Sequence, residues 1–181
     1  MIYLFLAPGF EEVEALAPLD LLRRAGLSVT TVGIGGKTVT GAHGITVTAD
    51  ITDLAYTDLK DPAPEMVILP GGMPGSLNLD ASPVVDAAIR AAVKNDGYLC
   101  AICAAPLILG RRGLLKGRRA TCYPGFEEEL VGAIEIGGKV IRDGKIITAT
   151  GMGVALEFGL ELVSVLKDPA TAGKIKDGIR A

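Results

Sequence analysis

Five short runs, Ile2–Leu6, Leu27–Ile34, Met66–Leu69, Tyr98–Ile102 and Ile146–Thr150, are apolar in sequence rather than apolar at every second position. A strand wetted on one face alternates, so unbroken runs mean strands covered on both faces. Helix-period segments separate most of them. The arrangement that satisfies both signals is an α/β fold, a doubly wound and mostly parallel sheet with helices on both faces. Glu12 to Ala25 reads as the first helix, with Val13, Leu16, Leu19 and Leu22 on one face, Gly26 as its stop, and Pro18 as a kink or as its true first turn. Ser82-Pro83 opens another helix in cap-then-proline order and Gly97 closes it, with Val85, Ala88, Ile89 and Val93 buried. Gly153 to Leu166 carries Leu156, Leu160, Val163 and Leu166, and Pro169 to Ile179 forms a short final helix. Two hairpins complete the reading: Lys37–Thr40 with Ile45–Thr48 around Gly41–Gly44, and Val140–Arg142 with Lys145–Thr148 around Asp143-Gly144.

With 181 residues, 49% of them hydrophobic, and no linker or shift in composition, a single domain over residues 1–181 is the simplest division. A net charge of −3 without a Lys/Arg run argues against a dedicated nucleic-acid surface, which needs clustered cations. Glu127 to Glu129, the one acidic run, reads as a solvated turn or helix start. The opening Met-Ile-Tyr-Leu-Phe-Leu is too short to span a bilayer, so a soluble, cytoplasmic protein is expected, with no membrane partner. Cys100, Cys103 and Cys122 are odd in number and lack framework spacing, which fits free thiols in a reducing compartment. Cys100 and Cys103 spell C-x-x-C, but positions at a strand's end are expected to face opposite ways, unlike a redox pair opening a helix. One histidine and three scattered thiols supply no zinc spacing, so no metal is expected.

The chemistry concentrates at the carboxyl ends of the strands, where open α/β sheets bind ligands. Cys103 lies between an apolar strand and a small-residue turn into Leu107-Ile108-Leu109, the pattern of a nucleophile elbow. A tight turn facing a helix N-terminus favours thiolate, so an easily ionised thiol is expected. Gly71-Gly72-Met73-Pro74-Gly75 follows a strand directly and reads either as a backbone donor site for an oxyanion or as a plain turn. It lacks the Gly-Lys-Ser/Thr of a phosphate loop, and Gly33-Ile34-Gly35-Gly36 leads into a hairpin rather than a dinucleotide-binding helix. Of Glu11, Glu12 and Glu14, which complement a helix N-terminus, Glu14 stands closest to the apolar stripe. Buried beside a thiolate it would be a neutral acid able to move a proton. His43, a lone loop histidine, reads as solvated, with a Cys–His dyad as the weaker alternative.

Gly9-Phe10-Glu11-Glu12-Val13-Glu14, Leu69-Pro70-Gly71-Gly72, Ala101-Ile102-Cys103-Ala104-Ala105-Pro106 and Gly151-Met152-Gly153-Val154-Ala155-Leu156-Glu157-Phe158, in this order, resemble the ThiJ/PfpI superfamily in the branch of the Parkinson-disease-associated protein deglycase. The resemblance implies a flavodoxin-like three-layer sandwich of the class I glutamine amidotransferase type, a homodimer, and no metal or organic cofactor. It implies Cys103 as nucleophile and oxidation-sensitive thiol, Glu14 as its hydrogen-bonding acid, and Gly71, Gly72 and Ala104 at the anion pocket. Three departures stand out. Ala104 replaces the histidine that follows the cysteine in peptidase-like members, Tyr123 replaces the branch's usual histidine, and Met152 replaces a proline at the pocket rim. The implied activity is a glutathione-independent glyoxalase or deglycase acting on a small 2-oxoaldehyde such as methylglyoxal, or on glycated protein or nucleotide. The alternatives are a thiol redox sensor or chaperone, an isonitrile hydratase-like member, and a peptidase-like member.

Overall fold

Every residue of Ile2–Leu6, Met66–Leu69 and Ile146–Ala149 is buried, the outcome that unbroken apolar runs demand. The structure is a computed structural model that describes residues 1–59 and 62–181. In chain order its first half runs β1 (Ile2–Leu6), α1 (Glu12–Arg24), β2 (Val29–Gly33), β3 (Thr38–Thr40), β4 (Thr46–Thr48), β5 (Ile51–Thr52), α2 (Asp53–Thr57), β6 (Met66–Leu69) and α3 (Gly75–Asp80). The second runs α4 (Pro83–Lys94), β7 (Tyr98–Ile102), α5 (Pro106–Arg111), β8 (Arg119–Ala120), β9 (Glu135–Ile136), β10 (Val140–Asp143), β11 (Ile146–Ala149), α6 (Ala155–Leu166) and α7 (Pro169–Ile179).

Seven strands form the main sheet in the order β10-β11-β7-β6-β1-β2-β5. All neighbours are parallel except β10 and β11, the hairpin turned by Asp143-Gly144. The register sets Leu69 beside Ala101 and Ile102 beside Ala149, so the carboxyl ends of β6, β7 and β11 finish together. Side chains alternate between two cores. Tyr3, Phe5, Val67, Leu69 and Leu99 meet α4 and α5 on one face, while Ile2, Leu4, Leu6, Ile68 and Ile102 meet α1 and α6 on the other. The mostly parallel α/β sandwich is as the sequence suggests. No described helix is long and apolar enough to cross a membrane.

The buried stripes differ in phase from the expected ones. On α1 the buried positions are Glu12, Glu14, Ala15, Pro18, Leu21 and Leu22, while Val13 and Leu16 face outward. The helix runs through Pro18 rather than starting there. The reason is Gly159: a β-carbon there would meet Pro18 Cα at 2.9 Å, so α1 and α6 approach along Pro18 and Leu21. The same rotation exposes Leu156 on α6 and buries Ala155, Phe158, Leu162 and Val163. On α4 Ala92 takes the buried place expected of Val93, which is exposed.

Candidate active site

The turn after β7 puts Cys103 at φ +64°, the left-handed region that a residue with a β-carbon enters at a cost of about 1–2 kcal/mol. The neighbouring backbone fixes it there. Cys103 N–H donates to the Ala149 carbonyl at 2.9 Å, and the Cys103 carbonyl accepts from Tyr123 N–H at 2.8 Å. Pro106 then starts α5. This is the elbow the sequence suggests, and it holds the one half-buried thiol of three free cysteines. The turn also breaks the alternation along β7. Cys103 packs against the same core that contains Cys100, not the opposite one, which corrects the expectation that the two face apart. Cys122 lies in the other core.

Glu14 reaches this sulfur from α1. The Glu11 side chain caps the helix by accepting Glu14 N–H at 2.7 Å, which places Glu14 in the first turn with its side chain inward and 1% exposed. Its Oε2 accepts Gly71 N–H at 3.0 Å, and its carboxyl is also hydrogen-bonded to Cys103 and to Met152 N–H. Gly71 is required here: a β-carbon would lie 2.5 Å from both Cys103 Cβ and Glu14 Oε2. Gly72, at φ +87°, follows with its N–H directed to the sulfur, as is that of Ala104. The Gly-Gly pair therefore brings backbone donors to the site and is more than a turn.

Burial, reinforced by the charge of Glu11, pushes the Glu14 carboxyl up to about 7, as expected of a desolvated acid. The thiol departs from expectation. Burial and then the adjacent Glu14 charge and hydrogen bond push Cys103 up to about 12, outweighing the Gly72 and Ala104 amides that pull it down. An ionised Glu14 thus holds the thiol protonated, and a protonated Glu14 donates to a thiolate. The two act as one unit sharing a single proton above pH 7.

Glu11, Glu14, Cys103 and Tyr123 line a cleft of about 490 Å³ together with His43 and the Thr150–Val154 segment. Tyr123 and Met152, both more than half exposed, form its rim. A cleft of similar size between α4 and Arg112 contains no thiol or histidine. His43 is not simply solvated. Its Nδ1 lies 2.8 Å from Oε2 of the buried Glu12, whose Oε1 accepts the N–H groups of His43 at 2.8 Å and Ile45 at 3.3 Å. Ligating atoms of Glu11, Glu12 and His43 fall within 4.8 Å of one another, a grouping that scattered sequence positions conceal. Sequence reasoning weighed Glu12 as a helix-start acid and His43 as solvated or paired with the cysteine, and missed the pairing of the two. An acid in a helix's first turn looks alike whether solvated or buried, and its partner lies 31 positions away.

Residues 1–165 match the DJ-1/PfpI family. Protein dj-1beta of Drosophila melanogaster is 35% identical over 177 residues, covering 96% of this chain and 93% of that protein. The glutathione-independent glyoxalase DJR-1.2 of Caenorhabditis elegans is 32% identical over 161 residues, 88% of this chain and 84% of its own. The crystal structure of a cysteine-to-alanine mutant of a DJ-1 superfamily protein from Salmonella typhimurium superposes with a TM-score of 0.91 at 34% identity, covering 99% of this chain and 97% of that one.

Proposed function

The chain belongs to the DJ-1/PfpI family, and from that premise we propose that it is a cysteine-dependent, glutathione-independent glyoxalase that converts 2-oxoaldehydes such as methylglyoxal to 2-hydroxy acids. The observation that carries the reading is a thiol held in a left-handed turn against a carboxyl of near-neutral pKa, at the floor of a small cleft. The name of the Caenorhabditis elegans relative points the same way.

In this reading the pair reacts as thiolate and carboxylic acid. Sγ bonds to the aldehyde carbon, and Glu14 protonates the oxygen to give a hemithioacetal. The Gly72 and Ala104 N–H groups steady the negative charge as it forms. Glu14, now ionised, removes the proton from that carbon and returns it to the neighbouring one, while the hydroxyl proton moves to the second oxygen. The product is a 2-hydroxyacyl thioester on Cys103, which water cleaves to lactate and free thiol. No step needs a metal or organic cofactor. Hemithioacetals or aminocarbinols already formed on protein or nucleotide enter at the second step, which would register as deglycation. Peptidase chemistry is disfavoured, because buried Ala104 stands where a base would follow the nucleophile. We further propose a homodimer, formed through the exposed Val13 and Leu16 of α1 and Leu156 of α6.

Lactate release from methylglyoxal tests the reading. Cys103→Ala should abolish it, and Glu14→Gln should lower kcat by about 100-fold or more, the range typical of lost acid–base catalysis. Undiminished turnover by the Cys103 variant would sink it. The donors around Sγ would equally hold a sulfinate, the basis of a redox-sensing role. Stable oxidation confined to Cys103 by dilute peroxide, without aldehyde turnover, would favour that role.

A further inference from the structure

The thioester step leaves a vacancy in chemistry, since water must lose a proton as it attacks and Glu14 is poorly placed to take it. Glu14 is 1% exposed, and with Cys103 acylated its carboxyl is still engaged by the N–H groups of Gly71 and Met152. Glu11 spends Oε2 on capping α1, and its Oε1 faces His43 Nδ1 at 3.9 Å. A phenol such as Tyr123 is a weak base near neutral pH. Among the described residues, the side chain lining the cleft that can act as a neutral base is His43, the single histidine of the chain.

His43 is held in place as a catalytic base needs to be. Its hairpin is fastened to the start of α1 by Ala42 N–H on the Phe10 carbonyl at 2.7 Å and Gly9 N–H on the Thr40 carbonyl at 2.9 Å. Gly41 lets the hairpin lie against the Glu12 carboxylate, where a β-carbon would collide with it. Glu12 accepts both His43 N–H groups, backbone and Nδ1. With Nδ1–H given to Glu12 Oε2, the free lone pair of the neutral ring is on Nε2. The ring itself stays open, with 69% of its side chain exposed to water.

Resting on the glyoxalase reading, we propose that His43 is the general base of the second half-reaction, taking a proton from water through Nε2 as the water attacks the Cys103 thioester, with Glu12 as the positioning residue that fixes its tautomer. The water oxygen bonds to the acyl carbon, the carbon–sulfur bond breaks, and the electron pair returns to Sγ. The carboxylic acid so formed gives its proton to Glu14, which restores the thiolate–acid pair, and His43 releases the other proton to solvent as the product leaves as a carboxylate. His43 and Tyr123 both line the cleft that holds Cys103. The charges facing His43 are those of Glu12 and Glu11 from α1, with Glu14, Cys103 and Tyr123 as the other titratable groups of the cleft. The Glu12 hydrogen bond and both glutamate charges raise the imidazole pKa.

The test mixes wild type, His43→Gln, Glu12→Gln and Cys103→Ala with methylglyoxal, follows lactate, and quenches samples for mass spectrometry with and without hydroxylamine. His43→Gln should lose about 100-fold in steady-state turnover. It should also accumulate on Cys103 a hydroxylamine-labile adduct with the mass of one methylglyoxal, and regain turnover with added imidazole. Glu12→Gln should move the acid limb of the kcat profile to lower pH, since the cause that raises the imidazole pKa is gone; a purely structural loss would lower the profile without moving it. Unchanged turnover in His43→Gln overturns the proposal, as does a loss without thioester accumulation. Wild type that yields no lactate, or Cys103→Ala that yields as much as wild type, overturns the glyoxalase reading and this inference with it.

Discussion

Glu14 and Cys103 share a proton, and that sharing has measurable signs. Because the carboxyl rises from 4.5 to about 7 on folding, its contribution to stability is complete below 4.5 and is lost as pH rises through about 7. Glu14→Gln should therefore gain on wild type by on the order of 3 kcal/mol between about pH 4 and pH 8, read from urea unfolding at the two pH values. Reactivity should follow the pair as well. Alkylation of Cys103 by iodoacetamide should climb with a midpoint near 7, where the pair loses its first proton, and Cys100 and buried Cys122 should lag through lack of access. A midpoint at 9, the value of an isolated thiol, would show the two groups to be uncoupled. Cys103, Glu14 and the Gly-Gly pair were legible in the sequence because each follows an apolar run at a strand's end. The high thiol pKa was not, since it depends on a carboxylate 89 positions away in the chain.

The helices show where reading by periodicity stops. Apolar spacing located α1, α4 and α6, with Ser82-Pro83 marking the start of α4 and Gly26 the end of α1, but which neighbour each helix meets decides its buried face. Leu22 is fully buried and Val13 is 43% exposed, although both belong to the stripe expected on α1. Leu22→Ala should cost about 2–5 kcal/mol in the unfolding free energy. Val13→Ala, by contrast, should stay within about 0.5 kcal/mol. Equal costs would restore the stripe read from spacing alone. The short elements β5, α2, α3, β8 and β9 were not foreseen, since segments of two to six residues carry too little pattern to distinguish from loops.

At the scale of the whole molecule, the order of apolar runs and helices was enough to foresee a mostly parallel sandwich, whereas the crossing of the β3–β4 hairpin over the start of α1 needed three dimensions. The outward face of α1 and α6 is the test of assembly. Leu16→Glu should leave the circular dichroism spectrum unchanged and shift the protein from dimer to monomer in sedimentation, because it places a charge in the proposed interface. A sheet rich in apolar strands also has two ends to its hydrogen-bond ladder. One is β5, only two residues long, and the other is β10, which carries Arg142 and Asp143 and joins its neighbour antiparallel. Short and charged margins of this kind give a stray peptide little to add to, so the sheet is guarded against fibril growth from its own two ends.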